Sequence, residues 1–459
     1  MSDRAAAPSP AAPKSAASKA AGREIFAWAM YDWANSAYTT LSISAMMYFL
    51  TKVVAHGESQ IASDVVAALP DLAAKDVGGY LWAMGLATAM LTAALLSPFV
   101  GAMADARATK RWWLCGTALT GAACPILMSL VPPEYGWTQI ALFVTASLFF
   151  DLSFGFYNGF LPELADETTM NRVSALGYAA GYLGGGIALL IELLVLTFGD
   201  DIGIVGKPAQ LRFGLFLMGA WWGLFTIPAL LFLRDRSPPA HGKLSLVRSA
   251  RDAVGRVGQT LKHIRRYRML VIFLVGFLFY NDGIQTVIAQ AGVFAEKDLG
   301  FEADELLKLI LAFQFISLFG ALIDSVLTDR IGQKPALMIY LGVWVASLGS
   351  AYFITEKIHF WLLSIPLGLV MGGAQTVSRS IMAMMTPPKQ NAEFFGFFNF
   401  SGRATSWMGN VTFAEVIHRT GSARLAVMSL FVFFVIGWAF AAYVDVARGR
   451  REALTAEVE

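Results

Sequence analysis

Long apolar stretches alternate with short polar ones along most of the chain. A helix needs about 20 residues to cross a bilayer, because each residue rises about 1.5 Å and the hydrocarbon core is roughly 30 Å thick. Twelve stretches meet this requirement, which predicts an all-α polytopic membrane protein. Spans 1 to 6 are predicted at 24–54, 79–103, 111–131, 137–162, 172–198 and 211–233. Spans 7 to 12 are predicted at 268–294, 304–328, 335–355, 359–385, 394–417 and 423–446.

The composition agrees with a membrane location. The 459 residues are 56% hydrophobic and 15% charged, against roughly 25% charged in soluble domains. With the N-terminus inside, about two thirds of the 35 basic residues fall on the inner side, and cytoplasmic loops are enriched in lysine and arginine. We therefore expect both termini to be cytoplasmic. The net charge of +2 gives no reason to expect a nucleic-acid partner.

The spans form two sets of six, separated by a polar and basic stretch. Each set places an aspartate, Asp105 or Asp329, at the inner end of its second helix before a short basic loop. Such an internal repeat is typical of secondary transporters. The linker separates its apolar and basic residues onto two faces, which predicts an amphipathic helix on the inner leaflet or against the bundle. The expected domains are a disordered cytoplasmic tail (1–22), an N-terminal six-helix bundle (23–233), a cytoplasmic amphipathic linker (234–267), a C-terminal six-helix bundle (268–447) and a cytoplasmic tail (448–459).

Span 1 contains a polar motif at membrane depth. Trp28, Asp32, Asn35 and Ser36 follow helical spacing and share one face. A charged side chain at the centre of a bilayer costs about 2.5–3.5 kcal/mol on insertion scales, so it is expected to face the bundle interior. Two interpretations remain open from the residues: a functional site, or a structural hydrogen bond between helices.

Several segments resemble known families. The acidic and basic loops after spans 2 and 8 resemble the cytoplasmic motif of the major facilitator superfamily, although Ala108 stands where glycine is usual. Six further segments resemble the vacuole-effluxer family, whose bacterial members are called the unknown major facilitator group. They are Tyr31–Tyr38, Tyr157–Leu164, Arg172–Tyr178, Tyr280–Thr286, Gly372–Ser380 and Glu393–Gly396. The resemblance implies twelve helices in two pseudo-symmetric six-helix bundles around a cavity lined mainly by spans 1, 4, 7 and 10. It also implies amino-acid efflux, because eukaryotic relatives export leucine, isoleucine and tyrosine from the vacuole.

Polar residues on the cavity-lining spans are the candidates for substrate binding. A zwitterion needs an anion for its ammonium, from Asp32 or Asp282, and a donor for its carboxylate, from Arg379 or a broken-helix N–H cluster. Tyrosines could line an amphipathic pocket, or else pack at an interface. The substrate-binding candidates are Asp32, Asn35, Tyr31, Tyr38, Asn158, Asn281, Asp282, Gln285, Gln375 and Arg379.

Two further roles need charged residues. A desolvated carboxylate can carry a coupling proton across the cycle, and the candidates are Asp32, Asp151 and Asp282, with Glu192 farther toward the outer side. Charges at the inner helix ends can hold one conformation closed. The cytoplasmic gate candidates are Asp105, Arg107, Lys110, Arg111, Asp329, Arg330 and Lys334.

The sequence thus predicts a secondary active transporter that moves a small polar or amphipathic solute, most directly neutral amino acids, by alternating access and with a proton as a candidate coupling ion. The alternative on the same fold is a lipid or lysolipid flippase. No catalytic motif, metal-ligand spacing or Walker pattern occurs in the sequence, so we expect no enzyme activity, metal or cofactor. The expected partners are a small-molecule substrate and the lipid bilayer, and we expect a monomer in a bacterial inner membrane.

Overall fold

The computed structural model describes residues 14–236, 254–255, 257–260, 262–403 and 406–455. Within those ranges every regular element is a helix, as the hydropathy pattern predicts. Nine of the described helices are long and apolar enough to cross a membrane, and they coincide with predicted spans 2 to 8, 10 and 12. The other three predicted spans are helical too: span 1 carries the polar motif, span 9 is the single 19-residue helix Gln333–Ala351, and span 11 is helical over its described residues.

The first half begins with an unusual helix. Span 1 starts as the α-helix Lys14–Leu41, so residues 14–22 are helical where the sequence predicts a tail. It continues through two π-helical segments, Ser42–Met46 and Phe49–Val54. Spans 2 to 6 are the helices Val77–Arg107, Lys110–Leu130, Gly136–Gly159, Met170–Phe198 and Lys207–Phe232. Short helical pieces lie between them at Gln60–Ala68, Ala74–Asp76, Leu161–Leu164 and Asp200–Ile202.

The second half repeats this arrangement. After the short helix Ile264–Tyr267, spans 7 to 10 are the helices Arg268–Leu299, Ala303–Ile331, Gln333–Ala351 and Lys357–Met384. In span 11 the structure describes the helical stretches Asn391–Arg403 and Ser406–Thr420. Span 12 has two pieces, Ala423–Ser429 and Phe431–Tyr443, and the helix Val446–Thr455 follows it.

We name the two ends of the bundle by their chain segments. The end where spans 1 and 7 begin carries the loops after spans 2, 4, 6, 8 and 10, and we call it the basic end. The opposite end is the far end. Several polar contacts between the halves lie from mid-membrane to the basic end: Gln314 Nε2 donates to Thr40 Oγ1 at 2.6 Å, and Asn399 Nδ2 donates to Ser97 Oγ at 3.0 Å.

Two contacts near the far end each lie within one half. Arg212 Nη2 donates to the Val131 carbonyl at 2.7 Å in the first half, and Lys357 pairs with Glu305 at 2.6 Å in the second. The described residues therefore show a molecule whose halves are held together at the basic end.

Spans 2 and 11 pack especially closely at the basic end. A Cβ atom on Gly101 would collide with the backbone of Ala392, and one on Gly396 would lie 2.7 Å from the backbone of Pro98. Glycine at these two positions therefore lets the two halves touch backbone to backbone.

The loop after span 2 turns at Ala108, which adopts a left-handed conformation with φ 50° and ψ 52°. Its amide donates to the carbonyl of Asp105 at 3.3 Å, and the next helix begins at Lys110. The tight turn is thus made without the usual glycine. A left-handed conformation costs a residue with a Cβ atom about 1–2 kcal/mol.

The described part of the predicted linker contacts both halves. Val257 is buried against Ala102 of span 2, with Phe397 of span 11 packed beside them. The Thr260 hydroxyl donates to Glu393 Oε1 at 2.7 Å, at the start of span 11. The apolar face predicted for the linker consists of Val247, Ala250, Val254, Val257, Leu261 and Ile264. Of these, Val254 is exposed. Val247, Ala250 and Leu261 lie outside the described residues.

Candidate functional site

The guanidinium of Arg379 lies at the junction of the two halves. Arg379 belongs to span 10 and is fully buried. Its Nη1 atom lies 3.3 Å from Asp32 Oδ2 of span 1 and 3.4 Å from Asn158 Oδ1 of span 4. Nε donates to Ser174 Oγ at 3.0 Å and Nη2 to the Ser174 carbonyl at 2.5 Å, both on span 5. One side chain of the second half thus binds three helices of the first.

Aromatic rings surround the same guanidinium. Its central carbon lies 4.0 Å from the ring centre of Tyr178, 4.8 Å from Trp28 and 5.4 Å from Tyr157, which are distances suited to cation–π attraction. The Tyr157 hydroxyl donates to Asp32 Oδ2 at 2.8 Å, and the Trp28 indole donates to the Tyr157 carbonyl at 2.8 Å. The carboxylate and the guanidinium are therefore both hydrogen-bonded in a buried site.

The site depends on a glycine of span 5. A Cβ atom on Gly177 would lie 2.7 Å from Trp28, 2.7 Å from the Tyr157 hydroxyl and 2.9 Å from Arg379 Nη2. Because Gly177 has no Cβ atom, span 5 can approach Asp32 and Arg379 closely enough for Ser174 to bind the guanidinium. We call Asp32, Arg379, Tyr157, Ser174 and Asn158 the charge-pair site.

The structure brings three predicted substrate-binding residues, Asp32, Asn158 and Arg379, together in this site. Tyr31 is buried next to it, with its ring 5.2 Å from that of Tyr157. Among the described residues, neither the Tyr31 hydroxyl nor the Asn35 Nδ2 atom has a hydrogen-bonding partner. Both side chains are buried, so these polar atoms lie in the packed interior of the first half.

Two other predicted substrate-binding residues lie away from the pair. The Tyr38 hydroxyl is 2.7 Å from Ser147 Oγ on span 4, and its ring packs against Phe150. Gln375 accepts a hydrogen bond from the Tyr182 hydroxyl at 2.9 Å, one turn from Arg379 along span 10. Gln375 therefore adds a second polar contact between spans 5 and 10.

The predicted residues of span 7 contact span 11 rather than the charge-pair site. Asn281 Nδ2 donates to the Gly402 carbonyl at 3.1 Å. Asp282 is buried, and its Oδ2 atom accepts the backbone N–H of Gly409 of span 11 at 2.9 Å. Gln285 is half-buried one turn away. These hydrogen bonds join span 7 to span 11.

The predicted gate residues of the first half form a buried network. Lys110 is fully buried, forms an ion pair with Glu163, and lies 3.8 Å from Asp105. Asp105 also accepts the backbone N–H of Glu393 at 3.0 Å, across the two halves. The sequence analysis did not select Glu163, because it lies in the loop between spans 4 and 5 and no spacing relates it to Lys110.

Arg111 caps the end of span 6, because its Nη1 atom donates to the Leu233 carbonyl and its backbone N–H donates to Asp235, both at 3.2 Å. Burial raises the pKa of the Asp235 carboxyl above its usual value, and the hydrogen bond from Arg111 opposes that rise. Arg107 is half-exposed.

The second-half gate differs from the first. Asp329 forms an ion pair with Arg172 of span 5, rather than with the basic residues of its own loop. Arg330 is exposed and Lys334 is half-exposed. The structure thus places the second-half aspartate in a bond between halves.

A buried carboxylate of span 8 escaped the sequence analysis. Asp324 is fully buried and accepts hydrogen bonds from Thr328 at 2.6 Å, Tyr340 at 2.6 Å and Asn171 at 3.1 Å. Asn171 belongs to span 5, so this bond also joins the halves. The cost of a charge at membrane depth, which selects Asp32, would have selected Asp324 as well.

Asp151 is buried in span 4, and its carbonyl accepts Asn399 Nδ2 of span 11 at 2.9 Å. No cluster of three or more His, Cys, Asp or Glu side chains in the described ranges is suited to a metal ion.

Relatives of known family match most of the chain. Residues 20–454 match the family described as vacuole effluxer Atg22 like. The MFS-type transporter YxiO of Bacillus subtilis (strain 168) is 32% identical over 420 residues, which are 91% of this chain and 94% of that protein. Autophagy-related protein 22-1 of Penicillium rubens is 29% identical over 312 residues, which are 63% of this chain and 51% of that protein. The chain thus spans about half the length of this fungal relative.

Solved transporters share the architecture. The proton:xylose symporter XylE, bound to 6-bromo-6-deoxy-D-glucose, has a TM-score of 0.70 at 15% identity, covering 96% of this chain and 100% of that chain. The human organic anion transporter MFSD10 (TETRAN) has a TM-score of 0.68 at 14% identity, covering 92% and 99%. This likeness shows that the chain has the twelve-helix fold of major facilitator transporters, and it confirms the fold predicted from the sequence.

Proposed function

The chain belongs to the vacuole effluxer Atg22-like family, and from that premise we propose that it carries neutral amino acids across the membrane by alternating access. Its relatives are transporters rather than enzymes, and its fold is that of an integral, multi-pass MFS transporter. The substrate class rests on a further observation, the charge-pair site.

The ion pair between Asp32 and Arg379 supports a zwitterionic substrate. The pair joins the halves, so it must break when they separate at the basic end. Breaking a buried pair leaves two uncompensated charges, at a cost of about 3–5 kcal/mol when one partner is lost. A zwitterion prevents this cost, because its ammonium pairs with Asp32 and its carboxylate pairs with Arg379.

The walls of the site suit a neutral side chain. Trp28, Tyr157 and Tyr178 present apolar ring surfaces with polar tips, which accommodate aliphatic or aromatic groups. A solute that bears only one charge would leave Asp32 or Arg379 uncompensated. We therefore favour neutral amino acids over singly charged solutes.

The membrane arrangement we propose follows the charge distribution. The basic end faces the cytoplasm, because most lysine and arginine residues lie there. Both termini are then cytoplasmic, in a bacterial inner membrane, and one chain is the functional unit. A proton is the proposed coupling ion, with Asp32, Asp151 and Asp282 as buried carboxylates that can carry it.

Counterflow of labelled leucine and tyrosine into proteoliposomes tests this function. Wild-type protein should exchange both. Asp32→Asn should lower the rate at least about a hundredfold, since an uncompensated Arg379 costs about 3–5 kcal/mol. Glu58→Gln, which changes an exposed carboxylate, is the matched control and should behave as wild type.

Two results would contradict the proposal. Absence of amino-acid exchange by folded wild-type protein would exclude the substrate class, and lysolipids would be tested next. Exchange by Asp32→Asn that persists but no longer responds to a pH gradient would make Asp32 a coupling residue and place the binding site elsewhere.

A further inference from the structure

A second buried carboxylate of the first half lies far from the charge-pair site. Glu192 belongs to span 5, six residues before its end at Phe198, or about 9 Å along the helix from the far end. Its side chain is 1% exposed. Oε2 lies 2.5 Å from the Ser44 hydroxyl oxygen of span 1. Oε1 is buried and has no hydrogen-bonding partner in the part of the chain that the structure describes.

The site around Glu192 is tightly packed. Spans 1 and 6 enclose the carboxyl, and a Cβ atom on Gly214 of span 6 would lie 3.3 Å from Oε1 and 2.7 Å from Cβ of Ala45. Ser44 is itself buried, and its hydroxyl lies 3.4 Å from the Leu41 carbonyl. The carboxyl therefore has one polar neighbour among three packed helices.

Charged groups on the neighbouring elements have other partners or are exposed. On span 6, Lys207 donates to a backbone carbonyl of span 5, and Arg212 donates to one at the end of span 3. Lys52 of span 1 is exposed. Asp200, after span 5, accepts the amide nitrogen of Gln210. None of these contacts compensates a charge on Glu192.

Two other buried carboxylates are better compensated than Glu192. Asp32 has a guanidinium and a phenol, and Asp324 has three donors. Asp282 resembles Glu192, because its Oδ2 atom accepts one backbone N–H and its Oδ1 atom has no partner among the described residues. Burying an ionised carboxylate with a single hydrogen bond costs several kcal/mol. A neutral Glu192 removes that cost, because it donates its proton to Ser44 Oγ, whose own proton points to the Leu41 carbonyl.

We infer that Glu192 is a proton-binding site of the transport cycle, loaded in this conformation and released when span 1 rearranges. This inference rests on the proposed transport function. Ser44 belongs to the π-helical segment Ser42–Met46, and such segments recur at functional sites. When Ser44 leaves and water reaches Oε2, the carboxyl loses its proton to that water. Movement of span 1, which also carries Asp32, thereby links proton release to the charge-pair site.

Glu192→Gln tests the inference, because the amide keeps the shape and the contact with Ser44 but cannot lose a proton. Leucine exchange without a pH gradient should stay within about twofold of wild type. A one-unit pH gradient should drive about tenfold leucine accumulation by a one-proton carrier, and the variant should show none. A pH-sensitive dye inside the liposomes should report substrate-dependent proton movement for wild type only.

Two further variants keep the outcome interpretable. Glu58→Gln, at an exposed site, should keep driven accumulation. Ser44→Ala leaves the carboxyl but removes its partner, so it should shift the pH dependence of driven uptake without abolishing it. Driven accumulation by Glu192→Gln equal to that of wild type would overturn the inference.

An independent readout separates this inference from the proposed substrate. Infrared difference spectra of the purified protein between two pH values should contain a carboxylic-acid band that is absent in Glu192→Gln, with or without substrate. If wild type moves no amino acid but this band is found, the substrate proposal fails and the proton site stands. If the band is the same in both proteins, the proton site is contradicted whatever the substrate.

Discussion

At the scale of single residues, the sequence identifies costly side chains but not their partners. The insertion cost of a charge selects Asp32 and Arg379 separately. They are 347 positions apart, and no spacing rule relates residues of different helices at that separation. The same cost argument applies to Asp324, a buried carboxylate of span 8 that was not among the predicted residues, whereas Asp329 of the same span was. The structure was therefore needed to show which of these buried side chains contact one another.

The Asp32–Arg379 pair makes a prediction about stability. Asp32→Asn and Arg379→Gln should each lower the melting temperature in detergent, because each leaves one buried charge uncompensated at about 3–5 kcal/mol. The double variant removes both charges and should melt at a higher temperature than either single variant. Effects that simply add would show that the two side chains do not interact.

The turn at Ala108 makes a second prediction. Ala108→Gly should raise the stability by about 0.5–1 kcal/mol, because glycine adopts φ 50° without strain, partly offset by its greater freedom in the unfolded chain. The opposite change at the corresponding loop, Gly332→Ala at φ 86°, should destabilise. Thermal unfolding in detergent measures both. A lower melting temperature for Ala108→Gly would contradict the strain we ascribe to this turn.

At the scale of helices, hydropathy predicts where spans lie but not how they deviate from regular helices. The predicted and observed limits of span 4, for example, agree within a few residues, 137–162 against Gly136–Gly159. The π-helical segments of span 1 were not predicted. They involve a hydrogen-bond pattern that leaves the apolar content of the segment unchanged, so a hydropathy window does not detect them.

The close contact of spans 2 and 11 predicts a conformational effect. Gly101→Val should prevent the basic end from closing, because its side chain meets the backbone of Ala392. A cysteine placed at Ala321, which is fully buried in span 8, should then react faster with a maleimide. The expected increase in rate is about tenfold if the conformation closed at the basic end is destabilised by roughly 1.4 kcal/mol.

The control for this experiment is Gly116→Val, where a Cβ atom meets open space. Both variants are made with Cys115 and Cys124, which are buried, replaced by alanine. Equal labelling rates in the two valine variants would show that the packing of spans 2 and 11 does not control closure.

At the scale of the molecule, the described contacts between the two halves lie between mid-membrane and the basic end. The charge-pair site, Gln375, Asp324 and Asp105 all take part. The internal repeat predicts two halves, and the fold bears this out. It does not predict which conformation the halves adopt, because alternating access requires several that differ by only a few kcal/mol.

Under the proposed function, a zwitterionic substrate gives this set of contacts its role, since such a solute lets Asp32 and Arg379 separate with both charges compensated. The most direct test is competition of unlabelled leucine, leucinamide and 4-methylpentanoate against labelled leucine in counterflow. Leucinamide lacks the carboxylate and 4-methylpentanoate lacks the ammonium. We predict that each competes at least about a hundredfold less strongly than leucine, because each leaves one buried charge unpaired. Competition by either analogue within about threefold of leucine would contradict recognition through the Asp32–Arg379 pair.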